Sequence, residues 1–123
     1  MAFRRGICLG ETPQEAARLA GTLALSKKAQ DVVVLDLRKL SPLVDFFVIA
    51  TGGSDIQVRA IADAIVDGLG ERGVTAWHVE GYRYGRWVLL DYVDFVVHIF
   101  RSDARGFYAL ERLWGDAARE EIV

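Results

Sequence analysis

Two apolar runs, Trp87 to Leu90 and Phe95 to Phe100, stand on either side of a short polar break that holds Asp91 and Asp94. Both runs are rich in β-branched and aromatic residues, the sequence form of an antiparallel hairpin. Side chains alternate across a strand, so Trp87, Leu89 and Asp91 share one face of the first strand and Val88, Leu90 and Tyr92 the other. In the second strand Val96, His98 and Phe100 oppose Phe95, Val97 and Ile99. Both faces are mostly apolar, so each has to be covered by a helix, another strand or a partner protein.

The rest of the chain supplies that cover. Thr12-Pro13-Gln14-Glu15 combines a capping hydroxyl, a proline suited to the first helical position and a glutamate three residues after the cap. It predicts a helix whose stripe is Ala16, Leu19, Ala20, Leu23 and Ala24. Asp31 to Leu37 reads as a buried strand, Ser41-Pro42 forces a connection, and Asp45 to Thr51 reads as the next strand. Gly52-Gly53-Ser54 breaks that strand and caps a helix from Asp55 to about Leu69, with Ile61, Ala64, Ile65 and Leu69 inward and Arg59, Asp63 and Asp67 outward. Thr75 to Glu80 is predicted as a third strand, parallel to Asp45–Thr51 through a right-handed crossover. A last helix starts at Ser102 or Asp103 and buries Phe107, Leu110, Leu113, Trp114 and Ala117.

The resulting order is α-β-β-α-β-β-β-α, an α/β fold with a mixed five-stranded sheet and three helices. With 123 residues there is room for one core. Residues 1–11 are expected to be a flexible arm, 12–118 a single domain and 119–123 a frayed end. A formal net charge of −2 with no long basic block argues against direct, sequence-independent binding of nucleic acid. The single cysteine, Cys8, cannot form an internal disulfide and suits a reducing compartment. No signal-peptide core and no run near the roughly 20 apolar residues of a membrane span appear, which gives a cytoplasmic expectation.

Trp87-Val88-Leu89-Leu90-Asp91-Tyr92, then Val97-His98-Ile99-Phe100, Arg105, Tyr108, Leu110-Glu111 and Leu113-Trp114, closely resemble the ribosomal silencing factor family, also called Iojap-like proteins. Asp45-Phe46-Phe47-Val48-Ile49-Ala50-Thr51-Gly52, with Gln57-Val58, Ile61-Ala62 and Val79-Glu80-Gly81, extend the resemblance over nearly the whole chain. One departure is Val93, where many relatives carry glycine in the hairpin turn. A β-branched residue resists positive φ, so a turn of another shape is expected there. The resemblance implies a fold related to nucleotidyltransferases. It also implies a homodimer that binds a large-subunit ribosomal protein of the uL14 family at the intersubunit face and blocks joining of the small subunit. That action represses translation when nutrients are short, needs no cofactor and no membrane, and requires a surface instead of catalysis.

A nucleotidyltransferase needs two carboxylates one residue apart on a strand to hold Mg²⁺, and that pair is missing. Gly52-Gly53-Ser54 could cradle an anion as part of a nucleotide-binding enzyme, or serve simply as a strand-to-helix turn with Ser54 as cap. Neither His78 nor His98 has ligands at metal spacing. His98 is a satisfied sheet histidine or a recognition residue. Residues alone leave Trp87 open between core and interface, and the resemblance places it at the interface. The partner-binding set expected is Trp87, Leu89, Asp91, Tyr92 and His98, with no catalytic or metal site.

Overall fold

A computed structural model describes residues 12–108 and 115–123. Thr12 opens helix α1, Pro13–Ser26. Its hydroxyl accepts the Glu15 backbone N–H at 3.1 Å, and the Glu15 carboxylate accepts the Thr12 backbone N–H at 3.4 Å. Two N–H groups that the first helical turn cannot pair are thereby satisfied. There follow β1 (Gln30–Asp36), β2 (Phe46–Gly52), α2 (Asp55–Gly70), β3 (His78–Glu80), β4 (Trp87–Asp91), β5 (Phe95–Arg101), α3 (Ser102–Tyr108) and β6 (Ala118–Glu121).

The six strands form one mixed sheet in the order β3-β4-β5-β2-β1-β6. Helices α1 and α2 cover one face, burying Val48 and Ala50 of β2, Val88 and Leu90 of β4, and Val97 and Ile99 of β5. Small residues on α1, including Ala17, Ala20, Gly21 and Ala24, are fully covered there. Where α1 meets α2 the spacing is tight: a Cβ on Gly68 would stand 2.6 Å from the Leu23 methyls. On the opposite face Val33, Leu35, Leu37, Ile49, Phe100 and Ala104 form a second cluster, with Phe47, Trp87 and Ala117 packed against it.

Four features depart from the sequence expectations. First, the parallel partner of β2 is β5, paired from Phe46↔Phe95 to Gly52↔Arg101, and not the third strand. The third strand spans only His78–Glu80 and runs antiparallel to β4 at the sheet edge. The crossover therefore carries α2, β3 and β4 together. Second, residues 118–121, expected to end the last helix and fray, form a sixth strand antiparallel to β1. Pairing with the otherwise bare edge of β1 satisfies the backbone there, and Ile122 packs back on Gly21. Third, Gly115 and Asp116 make a turn, so Ala117 reaches the second cluster from outside a helix. Fourth, Ala62 takes the buried position expected of Ala64 on α2. The expected arm with Cys8, the side chain of Phe107, and Leu110, Leu113 and Trp114 lie outside the described residues.

Val93 corrects a further expectation, because it does take positive φ, at 73°. The Asp94 N–H donates to the Tyr92 carbonyl at 2.9 Å, closing a γ-turn centred on Val93. The Tyr92 N–H donates to the Phe95 carbonyl at 2.9 Å, and the Asp91 carboxylate accepts the Val93 N–H at 2.8 Å. Three hydrogen bonds thus hold a β-branched residue in a conformation that costs about 1–3 kcal/mol. Glycine there removes the strain but loses about 0.5–1 kcal/mol more backbone entropy on folding. Val93→Gly is therefore expected to stabilise the protein by about 1 kcal/mol, read as a higher urea midpoint at unchanged slope. An equal or lower midpoint would show that Val93 is not strained.

Candidate functional site

The pleat of β4 separates its residues cleanly. Val88 and Leu90 are fully buried beneath α1 and α2, whereas Trp87, Leu89 and Asp91 on the opposite face are half-buried. Ladder register places Trp87 opposite Phe100, Leu89 opposite His98 and Asp91 opposite Val96 on β5. Beyond β5, Phe47 and Ile49 of β2 stand beside Val96 and His98. The face is an aromatic block: the Trp87 ring lies 5.1 Å from Phe100 and 5.9 Å from His98, and Phe47 meets His98 edge-on at 4.6 Å.

His98 occupies the middle of that block, only 4 % exposed. The Trp87 indole N–H donates to its Nδ1 at 3.1 Å. An indole nitrogen can only donate, so Nδ1 is the acceptor and the ring proton of the neutral imidazole sits on Nε2. Burial disfavours the charged ring and lowers its pKa from 6.5 to about 4. Of the two readings of this histidine, burial favours the sheet histidine, with Nδ1 paired to Trp87, and corrects the exposed recognition residue: His98 is a core residue beneath the face.

Tyr92 requires the same correction. It points to the helix-covered side, fully buried, with its ring stacked on Phe95 at 4.8 Å. Its hydroxyl is held well above the usual tyrosine range by burial, and it has no hydrogen-bond partner among the described residues. Alternation alone put Tyr92 opposite Trp87, and the structure agrees with that alternation. Of the five expected contact residues, Trp87, Leu89 and Asp91 remain on the accessible face.

Two residues join them that sequence inspection did not select. Antiparallel pairing of β3 with β4 sets His78 opposite Asp91 and Glu80 opposite Leu89, on the same face. His78 Nε2 lies 2.8 Å from Glu80 Oε2, so the ring orients the carboxylate. The face therefore ends in two acids, Asp91 and Glu80, at its outer rim. The signal was present in the Val79-Glu80-Gly81 match, but its use needed the strand pairing. Gly81, at φ 79°, fixes the chain just after Glu80, where a Cβ would come within 2.0 Å of the Trp87 carbonyl oxygen.

The Gly52-Gly53-Ser54 turn is occupied by its own side chains. Ser54 caps α2 by accepting the Gln57 N–H at 3.1 Å, and Gln57 Oε1 accepts the Gly53 N–H at 2.6 Å. Two donors that a phosphate would need are thus engaged within the turn. Asp55 pairs with Arg59 at 3.2 Å, which holds its carboxyl below the ordinary range, and Asp63 accepts the Tyr82 hydroxyl at 3.0 Å. Among the described residues no three His, Cys, Asp or Glu side chains come together as a metal site. Arg105 donates to the Asp31 carbonyl and, at 2.7 Å, to the Thr51 hydroxyl, tying α3 to the adjoining ends of β1 and β2.

Fold and face together define a class: a small mixed α/β protein that presents an aromatic, acid-rimmed sheet face. Residues 10–123 match the family described as ribosomal silencing factor during starvation, and the chain belongs to that family. It is 44% identical over 109 residues to the ribosomal silencing factor RsfS of Halalkalibacterium halodurans, covering 89% of this chain and 93% of that protein. The RsfS of Bacillus subtilis is 44% identical over 105 residues, 85% of this chain and 89% of its own length. A crystal structure of a Chromobacterium violaceum protein superposes with a TM-score of 0.83 at 38% identity, over 85% of this chain and 88% of that one. The mixed α/β fold with three helices, its sheet extended here to six strands, is therefore the fold of a family of ribosomal silencing factors.

The buried neutral state of His98 carries a pH signature. The unfolded histidine takes up a proton near pH 6.5 and the folded one only near pH 4, so its contribution is complete above pH 6.5 and is lost as pH falls between those values. The full difference is about 3 kcal/mol, of which about 2 kcal/mol is lost by pH 5. Urea unfolding at pH 7.5 and pH 5.0 is expected to show that the wild-type protein loses about 2 kcal/mol more than His98→Phe over this interval. Parallel losses in the two proteins would mean that His98 is not held neutral.

Proposed function

We propose that this protein silences translation by docking the Trp87 face on the large ribosomal subunit, through a ribosomal protein of the uL14 family, so that the small subunit cannot join. The observation that carries the reading is the half-buried Trp87 beside Leu89, with Asp91 and Glu80 at the rim. An aromatic anchor with an aliphatic neighbour and a charged border is the composition of a protein-binding hot spot. The acids suit a basic ribosomal surface, which they would steer and orient more than they would tighten. Occlusion of this kind needs area and rigidity, and a sheet face provides both. The action is cytoplasmic, takes place without a cofactor, and is carried out by a protein that is a homodimer at micromolar concentration. Membership of the silencing-factor family supports the ribosomal target.

Pelleting with purified large subunits tests the proposal. Trp87→Ala is expected to weaken binding by about 2 kcal/mol or more while the protein stays folded at the assay temperature. Unchanged binding by a folded Trp87→Ala protein would refute docking through this face. Because the Asp91 carboxylate also holds the Val93 N–H, Asp91→Asn is a cleaner probe than alanine: it retains an acceptor and removes the charge. Its defect should be largest at low salt and shrink as ionic strength rises. A salt-independent defect would assign Asp91 to the turn alone. The dimer is checked by light scattering at micromolar concentration, where a purely monomeric mass would contradict it.

A further inference from the structure

We infer that His98 is a positioning residue for docking: its Nδ1 anchors the Trp87 indole N–H inside the sheet, so that the indole offers its partner a hydrocarbon surface in one fixed orientation. The inference rests on the docking role proposed above for Trp87, and it adds the chemistry of the partner's side. A tryptophan whose N–H is engaged within its own protein recognises an apolar pocket and needs no hydrogen-bond acceptor there. The partner site is accordingly an apolar recess on a protein, with basic groups placed to meet Asp91 and Glu80.

The geometry behind this is specific. His98 is flanked in the ladder by Leu89 on β4 and Ile49 on β2, so apolar neighbours bound it on both sides within the sheet. Phe47 meets its ring at 72° and 4.6 Å, and Phe100 lies nearly parallel to it at 8° and 6.2 Å. These contacts fix the imidazole plane, and the 3.1 Å bond from Trp87 Nε1 then fixes the indole to it. A phenylalanine or leucine would fill this position with no polar atom to satisfy. The histidine instead leaves its protonated Nε2 buried with no partner among the described residues, a cost to folding that an apolar side chain would avoid. The compensating gain is on the other nitrogen. A half-buried indole loses rotamer freedom on docking, and anchoring it beforehand removes that loss from the binding step. Burial keeps the imidazole neutral near pH 7, so Nδ1 is available as an acceptor under the conditions of translation.

Replacing His98 by asparagine and by phenylalanine separates this role from simple packing. Asparagine Oδ1 takes the place of Nδ1 and keeps an acceptor, whereas phenylalanine keeps the ring and removes the acceptor. Binding to purified large subunits is measured beside the indole N–H resonances of tryptophan-labelled protein, with the Trp87 signal assigned by its loss in Trp87→Phe. Thermal melting of each variant sets an assay temperature at which all are folded. His98→Phe is expected to bind at least tenfold more weakly than wild type and to shift the Trp87 resonance upfield with faster solvent exchange. His98→Asn is expected to keep the downfield, slowly exchanging signal and to bind within about threefold of wild type. Normal binding by His98→Phe alongside a defective Trp87→Ala would overturn the positioning role and leave the docking face standing. Equal defects in His98→Phe and His98→Asn, with the Trp87 resonance retained in the asparagine variant, would also overturn it, since packing would then explain both. Normal binding by folded Trp87→Ala would overturn the docking reading and the role of His98 in it together.

Discussion

The parallel pairing of β2 with β5 is the constraint from which the rest of the architecture follows. Two parallel neighbours cannot be joined by a tight turn, so the chain between them has to travel the length of the sheet and return. Here it returns over one face as α2, then lays β3 and β4 along the outer side of β5 before β5 itself forms. The central strands are covered on both faces, which is why Phe46 to Gly52 and Phe95 to Phe100 contain so few polar residues. β4 is one strand removed from that centre. Its inner face is sealed by helices while its outer face is only half covered, so a rigid backing and an accessible surface coincide at Trp87.

Local chemistry was legible in the sequence wherever the deciding interactions are close along the chain. The Thr12–Glu15 cap, the Ser54 cap, the β4–β5 hairpin and the opposite orientations of Trp87 and Tyr92 all follow from spacings of a few residues, and the structure contains them. What could not be read is what long-range pairing decides. β6 is the sequence Ala-Arg-Glu-Glu, with low strand propensity and every residue exposed; it is a strand because the edge of β1 is there to receive it. The third strand reads as a longer apolar run than the three residues that find a partner on β4. At the site, Trp87, Leu89 and Asp91 were legible from alternation and resemblance. Glu80 was not, because its place beside Leu89 exists only in the ladder.

The β4–β5 hairpin concentrates several violations of local preference. Val93 takes positive φ, His98 is a buried base, and the Tyr92 hydroxyl is buried without a partner among the described residues. Outside the hairpin, Lys28 and Asp31 between α1 and β1 also take positive φ, whereas the helix starts follow local preference, with a reciprocal cap on α1 and a serine cap on α2. Natural sequences tend to break local rules where function demands it and to make up stability elsewhere. On that criterion this hairpin, where a strained turn and two buried polar side chains meet, is a part of the molecule shaped by something other than folding.

The pairing of β6 with β1 has a consequence for how the protein is made. The ion pair between Arg18 on α1 and Glu120 on β6 joins positions 102 residues apart. At synthesis rates of about 5–20 residues per second, roughly 5 to 20 s separate the emergence of one partner from that of the other. For most of that interval, once β1 has been made, its edge is uncovered, and an unpaired strand edge is a template for association with other nascent chains. The charged residues of β6 cannot guard the edge before they exist. A nascent chain of this regulator is therefore exposed for longest while still attached to a ribosome, the kind of particle its family is described as silencing.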